Sequence, residues 1–416
     1  MARYVIVGGN SLQGSVRIKG AKNSALALLS ASILTQDKVV LRDCPDISDI
    51  GNMLSILGGL GCKCTFDDMA ITIDSSTLDS AEIENNTAKK IRSSVFLLGA
   101  MLSRRKRAKI AYPGGCNIGL RPIDIHIDGL RKLGVEIVET QDALECDATH
   151  AHSGYMRLKI PSVGATENLI MASVFLQGKT VIDNCAKEPE IVDLQNMLVA
   201  MGAKVSGVED GRAVIEGVER LHGVDYTVLP DRIVAGTYLI ATAMCKGEIT
   251  LDNVRWQHLE ALTSKLANNS CNITYKDDKI TLYCDNVLSN LPSISTGYYP
   301  DFPTDLQSQY LAMMTVGRGR GEIIENLFED RFKVAGQLRL MGAHVDIQGN
   351  RAIVDGVSSL NGATVKACDL RGGAALVLAG LVAKGTTIVE DIYHIDRGYE
   401  DMATILSSLG ADIKRI

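Results

Sequence analysis

The chain has 416 residues, of which 46% are apolar and 22% are charged, and its formal net charge is −6. At roughly 150 residues per domain, this length predicts two or three domains with large cores, and it excludes disordered, collagen-like and small disulfide-stabilised proteins. The negative charge argues against a general affinity for nucleic acid or for an anionic membrane surface.

Two patterns alternate along the chain. The first is an apolar helix followed by a short break and a β-rich run, at residues 25–41, 95–111, 169–182, 238–251, 310–324 and 375–389. The second is an amphipathic helix that ends in Leu-Gly or Met-Gly before an alternating strand, with glycines at 61, 134, 202, 342 and 410 and a degenerate copy at Leu266-Ala267. Glycine just past a helix suits a left-handed C-cap. The spacing predicts six repeats of about 70 residues, each with two helices and several strands.

Polar residues precede the first helix of each repeat. They are Lys22-Asn23, Arg92-Ser93, Ser162-Val163-Gly164, Asp231-Arg232, Thr304-Asp305 and Asp369-Leu370-Arg371. Helix N-termini attract phosphates and carboxylates, so these ends would form a cationic cleft if they converged. The alternative for each Asp is an ordinary N-cap, and an isolated Lys or Arg at a turn usually has no function. The recurrence at one structural position favours an anion-binding site.

The second repeat carries a longer loop, residues 112–124, with three glycines and two prolines around Cys116. Glycine-rich loops of this kind are typical of mobile lids, although a spare thiol in a flexible turn is the alternative. The equivalent loops elsewhere contain Lys187-Glu188, Glu329-Asp330-Arg331 and a run from His394 to Arg397. The basic run 104–107 is interpreted as a solvated turn at a helix C-terminus.

The longest apolar runs are shorter than the roughly 18 residues that span a bilayer, and the first residues lead directly into a strand-like run without the pattern of a signal peptide. The ten cysteines include no Cys-x-x-Cys pair, so they indicate neither a zinc ribbon nor a disulfide framework. We therefore expect a cytoplasmic protein in which most thiols are buried and inert.

The motifs resemble those of the UDP-N-acetylglucosamine 1-carboxyvinyltransferases, which belong to the enolpyruvyl transferases. The resemblance covers essentially the whole chain. It rests on Gly20-Ala-Lys22-Asn23, Ile91-Arg92, Pro113-Gly-Gly-Cys116, Arg121-Pro122-Ile-Asp124, Ser162-Val-Gly-Ala165, Pro230-Asp-Arg232, Phe302-Pro-Thr-Asp305, Phe328-Glu-Asp-Arg331, Asp369-Leu-Arg371 and the run from His394 to Glu400.

The resemblance implies an α/β fold, a two-domain inside-out α/β barrel in which helices are buried and sheets face solvent. One domain would comprise residues 1–21 plus 230–416, and the other would comprise residues 22–229 and carry the Cys116 lid. Each domain would contain three repeats, and the active site would lie between the domains.

The implied reaction transfers the enolpyruvyl group of phosphoenolpyruvate to the 3-hydroxyl of UDP-N-acetylglucosamine, with release of phosphate through a tetrahedral ketal. This is the first committed step of peptidoglycan synthesis. By resemblance Cys116 is the general acid, Asp305 is the base or proton relay, and Lys22, Arg121 and Arg397 hold phosphoenolpyruvate. The covalent adduct and the inactivation by fosfomycin known in the family would both involve Cys116.

The remaining substrate contacts also follow from the resemblance. Arg92, Arg331 and Arg371 would lie near phosphoenolpyruvate, and Asn23, Arg92 and Asp305 would face the sugar. The uridine diphosphate would lie on Arg121, Pro122, Ile123, Asp124, Ile125, Ser162, Val163 and Gly164 and near Leu327. No cofactor and no metal are expected, because the mechanism requires none and the histidines lack ligand spacing. His126 is interpreted as structural.

Two alternatives stay open. One is the related transferase that acts on shikimate 3-phosphate, and the other is a catalytically silent paralogue that senses UDP-N-acetylglucosamine. The lid cysteine and the stretch from Arg121 to Asp124 favour the nucleotide sugar. The expected partners are the two small substrates, without nucleic acid or membrane, and with room for a weak homo-oligomer.

The chain departs from the family pattern in four places. Asp301 stands where glycine is usual, Ile233-Val234-Ala235 replaces a run that usually begins Ile-Glu-Thr, and Gly372-Gly373 follow Arg371 where Ala-Ser is common. A uridine-contacting lysine is shifted to Lys159. These departures affect the nucleotide contacts and the helix starts rather than the reaction class.

Overall fold

A computed structural model describes residues 2–83, 92–111, 123–141, 143–269, 271–286, 288 and 292–416. These residues group into two compact units. Unit 1 comprises the described residues of Met1–Lys19 and Pro230–Ile416, and unit 2 comprises those of Gly20–Gly115 and Arg121–Leu229.

Each unit contains three four-stranded sheets. In every sheet one pair of neighbouring strands is parallel and the other two pairs are antiparallel. The sheets of unit 1 have the strand orders Thr364–Lys366, Thr386–Glu390, Tyr4–Val7, Asp412–Arg415; Asn272–Lys276, Lys279–Cys284, Gly247–Asp252, Leu12–Arg17; and Ile294–Ser295, Arg320–Ile324, Arg351–Asp355, His344–Gln348. Those of unit 2 have the orders Asp225–Thr227, Val39–Arg42, Ala70–Asp74, Lys63–Asp67; Glu82–Ile83, Arg107–Ala111, Ala143–Asp147, Glu136–Glu139; and Tyr155–Arg157, Lys179–Asp183, Arg212–Glu216, Lys204–Ser206.

The topology explains how the chain closes each unit. Strand Tyr4–Val7 completes a sheet with the last strands of the chain, and Leu12–Arg17 pairs with Gly247–Asp252. Strand Asp225–Thr227 similarly pairs with Val39–Arg42 in unit 2. The N-terminal strands therefore belong with the C-terminal half of the chain.

Two helices belong to each repeat among the described residues. In chain order they are α1 (Lys22–Ala31), α2 (Ser48–Gly59), α3 (Leu97–Arg105), α4 (Asp124–Lys132), α5 (Val163–Ser173), α6 (Pro189–Ala200), α7 (Arg232–Cys245), α8 (Glu260–Ala267), α9 (Gln307–Val316), α10 (Val334–Leu340), α11 (Leu370–Val382) and α12 (Met402–Ser408). The predicted alternation of two helix types is confirmed.

The first helix of each repeat is buried on nearly all sides. Every residue of α11 from Leu370 to Leu381 is buried, and α1 exposes only Asn23. A helix that is apolar around its whole circumference lies inside a core, whereas an amphipathic helix covers one. The strands alternate between buried and exposed residues, as in the pattern of Arg212–Glu216. Each unit thus has its own core, with helices inside and sheets outside.

The repeated glycines end the second helices as the sequence predicts. Gly61, Gly134, Gly202, Gly342 and Gly410 all have φ between 79° and 101°, in the left-handed region. The degenerate copy is also confirmed, since α8 ends at Ala267. The basic run lies at the end of α3, where Lys106 adopts a left-handed conformation.

The cysteines differ from expectation at one place. Cys271 and Cys284 form a disulfide beside neighbouring antiparallel strands, although the sequence indicated no disulfide framework. The two residues directly flank the paired positions Asn272 and Tyr283, a register that sequence spacing does not reveal. Within the described part of the chain, no helix is both long enough and apolar enough to cross a membrane.

Candidate active site

Two of the three aspartates that the sequence places at helix starts are N-caps, and the third is not. Asp231 accepts hydrogen bonds from the backbone N–H groups of Ile233 and Val234, at 2.8 and 2.9 Å. Asp369 caps α11 in the same way, through two bonds of 2.9 Å. For these two residues the ordinary N-cap interpretation is confirmed. Asp305 is different, because it lies inside the short 3₁₀ turn Thr304–Leu306 that leads into α9.

The carboxylate of Asp305 lies between two buried arginines. Arg331 donates to Oδ1, and Arg371 donates from Nη2 to Oδ2 at 3.0 Å. Both arginine side chains are 4% exposed, whereas that of Asp305 is 25% exposed. Burial would lower the pKa of Arg371, but Asp305, Tyr399 and Asp231 raise it above its usual value. The guanidinium groups of Arg331 and Arg371 are thus buried against the Asp305 carboxylate, which itself remains partly exposed to solvent.

Neighbouring side chains fix the orientation of Arg331. Its Nε donates to Thr304 Oγ1 at 3.2 Å, and Thr304 donates to Glu325 Oε2 at 2.9 Å. Glu325 also accepts from the backbone N–H of Leu327 at 2.9 Å. The candidate residue Leu327 is therefore tied to the same group through its backbone. Hydrogen bonds from a charged guanidinium are strong and directional, so the contacts with Thr304 and Asp305 fix the plane of the Arg331 guanidinium.

Arg397 ends a 3₁₀ segment, Ile392–Arg397, and is half-buried. His394 lies in the same segment, and burial together with Arg397 lowers its pKa. Tyr399, two residues after Arg397, contacts the guanidinium of Arg371 from below, with 5.7 Å between the guanidinium carbon and the ring centre. The motif from His394 to Glu400 thus supplies a support for Arg371 as well as Arg397.

Unit 2 holds a second group of candidates, beginning with Lys22. Lys22 is the first residue of α1, and its Nζ lies 2.6 Å from Oδ2 of Asp49 in the first turn of α2. The Lys22 side chain is 11% exposed and that of Asp49 is 3% exposed. Asn23 is exposed beside it, and Ser24 is buried. The ion pair keeps the ammonium at the helix start.

The start of α5 carries three of the residues expected to contact a nucleotide. Ser162 is the N-cap and accepts from the backbone N–H of Ala165 at 3.4 Å, with Val163 and Gly164 following. A Cβ atom on Gly164 would lie 2.9 Å from Phe96 and 3.1 Å from His126, so a larger residue would require these side chains to shift. His126 itself is buried against Asn168, at 2.9 Å, which agrees with its structural interpretation.

The segment from Ile123 to Ile125 forms the beginning of α4. Ile123 is the N-cap residue and Asp124 is the acidic residue of the first turn. An acidic side chain there is favourable because the helix N-terminus carries partial positive charge. Three predicted residues, Cys116, Arg121 and Pro122, lie outside the described residues. Arg92 begins a 3₁₀ segment, and only its backbone is described.

The sequence analysis missed the residues that hold the predicted ones in place. They are Asp49 for Lys22, Glu325 for the Thr304 side chain that contacts Arg331, and Tyr399 for Arg371. The signals were weak, since Asp49 only resembles an ordinary first-turn acid and Tyr399 only an apolar ring within a motif. Among the described residues, no group of three His, Cys, Asp or Glu side chains is placed to hold a metal ion.

The sequence of the chain is similar to those of known proteins. A family model described as EPSP synthase (3-phosphoshikimate 1-carboxyvinyltransferase) matches residues 6–406. UDP-N-acetylglucosamine 1-carboxyvinyltransferase 2 of Caldanaerobacter subterraneus subsp. tengcongensis is 46% identical over 416 residues, which cover 100% of both chains. UDP-N-acetylglucosamine 1-carboxyvinyltransferase of Finegoldia magna is 44% identical, over 98% of this chain and 97% of that one.

Solved structures show the same fold. The enolpyruvyl transferase NikO from Streptomyces tendae superposes with a TM-score of 0.90 at 25% identity, covering 100% of this chain and 99% of that one. EPSP synthase from Acinetobacter baumannii superposes with a TM-score of 0.78 at 15% identity over 100% of both chains, a likeness of fold alone. The predicted six-repeat inside-out α/β fold is confirmed, and the chain belongs to the enolpyruvyl transferase family of EPSP synthase and the UDP-N-acetylglucosamine 1-carboxyvinyltransferases.

Proposed function

We propose that this protein transfers the enolpyruvyl group of phosphoenolpyruvate to the 3-hydroxyl of UDP-N-acetylglucosamine and releases phosphate. The observation that carries the proposal is the likeness, over the full length of both chains, to an enzyme named for this nucleotide sugar. The Asp305 group supports it, because the donor carries a phosphate and a carboxylate that suit planar guanidinium groups.

The proposed chemistry is an addition followed by an elimination. Cys116 gives a proton to the methylene carbon of phosphoenolpyruvate, Asp305 takes the proton of the sugar hydroxyl, and a bond forms between that oxygen and the central donor carbon. The ketal then loses phosphate and a proton from the new methyl group, which restores the double bond. General acid and base groups each contribute about 10²- to 10⁴-fold.

The binding roles follow the same proposal. Lys22, Arg121 and Arg397 hold phosphoenolpyruvate, with Arg92, Arg331 and Arg371 nearby. Asn23, Arg92 and Asp305 face the sugar. The uridine diphosphate lies on residues 121–125, on Ser162, Val163 and Gly164, and near Leu327. The two domains of this proposal are residues 1–21 plus 230–416 and residues 22–229, and the enzyme acts in the cytoplasm in peptidoglycan synthesis.

A phosphate-release assay tests the substrate assignment. Purified protein is expected to release phosphate from phosphoenolpyruvate only when UDP-N-acetylglucosamine is added. Shikimate 3-phosphate serves as the control acceptor, because it is the substrate of the rival transferase. If phosphate were released with shikimate 3-phosphate as the acceptor and not with UDP-N-acetylglucosamine, the substrate assignment would be overturned. No release with either acceptor would favour the silent paralogue.

Labelling by fosfomycin tests the role of Cys116. We expect Cys116→Ser to abolish covalent labelling and Cys245→Ser to leave it unchanged. Cys245 is a suitable control, since burial raises the pKa of its thiol to about 12 and makes its thiolate scarce at neutral pH. Mass spectrometry of the intact protein gives the readout. Equal labelling of the two variants would remove Cys116 from the mechanism.

A further inference from the structure

A buried polar network lies beneath the contact between Arg371 and Asp305. The hydroxyl of Tyr399 is its centre, at 2.9 Å from Thr237 Oγ1, 3.0 Å from Gln309 Nε2 and 3.4 Å from Arg371 Nη1. Thr237 and Gln309 are fully buried, and Tyr399 is 2% exposed. The network therefore joins α7, α9, α11 and the segment after Arg397 without contact with solvent.

The direction of each hydrogen bond follows from its partners. Thr237 donates its proton to the carbonyl oxygen of Ile233 at 2.8 Å, so toward the network its Oγ1 accepts. Gln309 Nε2 lies 3.1 Å from the carbonyl oxygen of Asp305, which can only accept, so the amide nitrogen must face this way. Gln309 Nε2 also lies 3.1 Å from Thr237 Oγ1, so its second proton is shared between Thr237 and Tyr399. The oxygen of Tyr399 accepts from Arg371, and its one proton goes to Thr237.

One acceptor in this network has no hydrogen-bond partner in the described part of the chain, which lowers the stability of the fold. The Oε1 atom of Gln309 is buried and has no hydrogen-bond partner among the described residues. A buried acceptor without a partner destabilises a fold, and native structures keep few of them. The side-chain amide of Gln309 is therefore oriented by its nitrogen, which donates toward Tyr399 and toward the carbonyl oxygen of Asp305.

We propose that Tyr399 is a positioning residue that fixes the guanidinium plane of Arg371 against the carboxylate of Asp305. Arg371 uses Nη1 toward Tyr399 and Nη2 toward Asp305, so the two ends of one rigid fork are held. The inference rests on the proposed function, in which Asp305 accepts the proton of the sugar hydroxyl. Without the Tyr399 hydroxyl, the guanidinium of Arg371 can rotate, and the Asp305 carboxylate is then no longer held in one orientation.

Tyr399→Phe tests the inference, because it keeps the ring beneath Arg371 and removes only the hydroxyl. In the phosphate-release assay we expect kcat to fall about 10- to 100-fold, as for other small displacements of reacting groups. The KM for UDP-N-acetylglucosamine should stay within about twofold, since the hydroxyl is buried and an effect confined to kcat reports alignment in the transition state. The low-pH limb of kcat should also move to higher pH, because a carboxylate that loses cation contact is protonated more readily.

Tyr310→Phe is the matched control. Tyr310 is another fully buried tyrosine of unit 1, and its hydroxyl donates to the carbonyl oxygen of Pro292 at 2.9 Å, outside the network. We expect this variant to keep wild-type kcat and the wild-type pH profile. The fluorescence of Trp256, the single tryptophan of the chain, checks that unit 1 is folded in every variant.

A second pair of variants keeps the test informative if Tyr399→Phe is unstable. Thr237→Val removes the acceptor of the Tyr399 proton and should lower kcat, whereas Thr237→Ser keeps the hydroxyl and should restore it. Wild-type kcat in Tyr399→Phe, or an equal loss in Tyr310→Phe, would overturn the positioning role alone. Absence of phosphate release from the wild-type protein would instead refute the proposed function.

Discussion

The buried ion pair between Lys22 and Asp49 leads to a quantitative prediction about stability. Asp49→Asn keeps the shape of the side chain but removes the negative charge that lies 2.6 Å from the Lys22 ammonium. Removing one partner of a buried pair typically costs about 3–5 kcal/mol. Because the Lys22 side chain keeps 11% exposure, we expect the lower end, about 3 kcal/mol, a factor of roughly 150 in the unfolding constant.

A pair with the same separation but a different environment provides the control. Arg42 and Asp225 also lie 2.6 Å apart in unit 2, but their side chains are 55% and 53% exposed. Solvent and salt screen such a pair, so Asp225→Asn should change stability little. The two pairs share the contact distance and differ in burial, and the exposed pair has the additional contact of Arg42 Nε with Asp225 Oδ1 at 2.7 Å. A smaller loss in Asp225→Asn would therefore reflect exposure and not a lack of contacts.

Urea unfolding followed by far-UV circular dichroism measures both variants. The double variant Lys22→Met with Asp49→Leu adds a further check, since replacing both charges with apolar groups should be much less harmful than removing one. Equal midpoints for Asp49→Asn and Asp225→Asn would refute the reasoning, because burial would then have no effect on the strength of the pair.

Two further predictions concern buried polar groups of unit 2. Asp193 accepts from the hydroxyl of Ser24 and from the backbone of Leu229, so Ser24→Ala should lower stability by about 1 kcal/mol in urea unfolding. Ser30→Ala is the control, since Ser30 only donates to a carbonyl within α1, and an equal loss would contradict the role of Asp193. Burial, together with the charges of Glu190 and Glu188, raises the pKa of Glu167 well above its usual value. A carboxyl raised in this way contributes stability below its unfolded pKa, roughly 4.3, and loses it as the pH rises through its folded pKa. Glu167→Gln should therefore flatten the decline of Tm as the pH rises above the unfolded pKa, roughly 4.3, and an unchanged slope would contradict it.

The elements that could be predicted from the sequence are those that depend on local chemistry. Glycine after the last helical turn marks five of the six second helices, because a left-handed residue is needed there. The first helices were recognisable because their apolar residues occur on all sides. The repeats could then be counted, since each unit of about 70 residues contains both signals.

The supporting contacts could not be predicted, because they join distant parts of the chain. Lys22 and Asp49 lie on different helices, and Thr237, Gln309 and Tyr399 lie on three separate segments of unit 1. Only the packing of the buried helices brings these polar groups within hydrogen-bond distance. The disulfide between Cys271 and Cys284 similarly depends on strand register.

Asp305 shows why residue type and position alone do not assign a role. Asp231, Asp305 and Asp369 all precede buried helices, and from the sequence each could be a cap. Asp231 and Asp369 use Oδ1 to accept backbone N–H groups, so each of them caps the helix that follows it. Asp305 is instead the second residue of the 3₁₀ turn Thr304–Leu306, and both its oxygens accept from buried arginines. A buried guanidinium needs a counter-anion, so Arg331 and Arg371 require the carboxylate that the helix does not use.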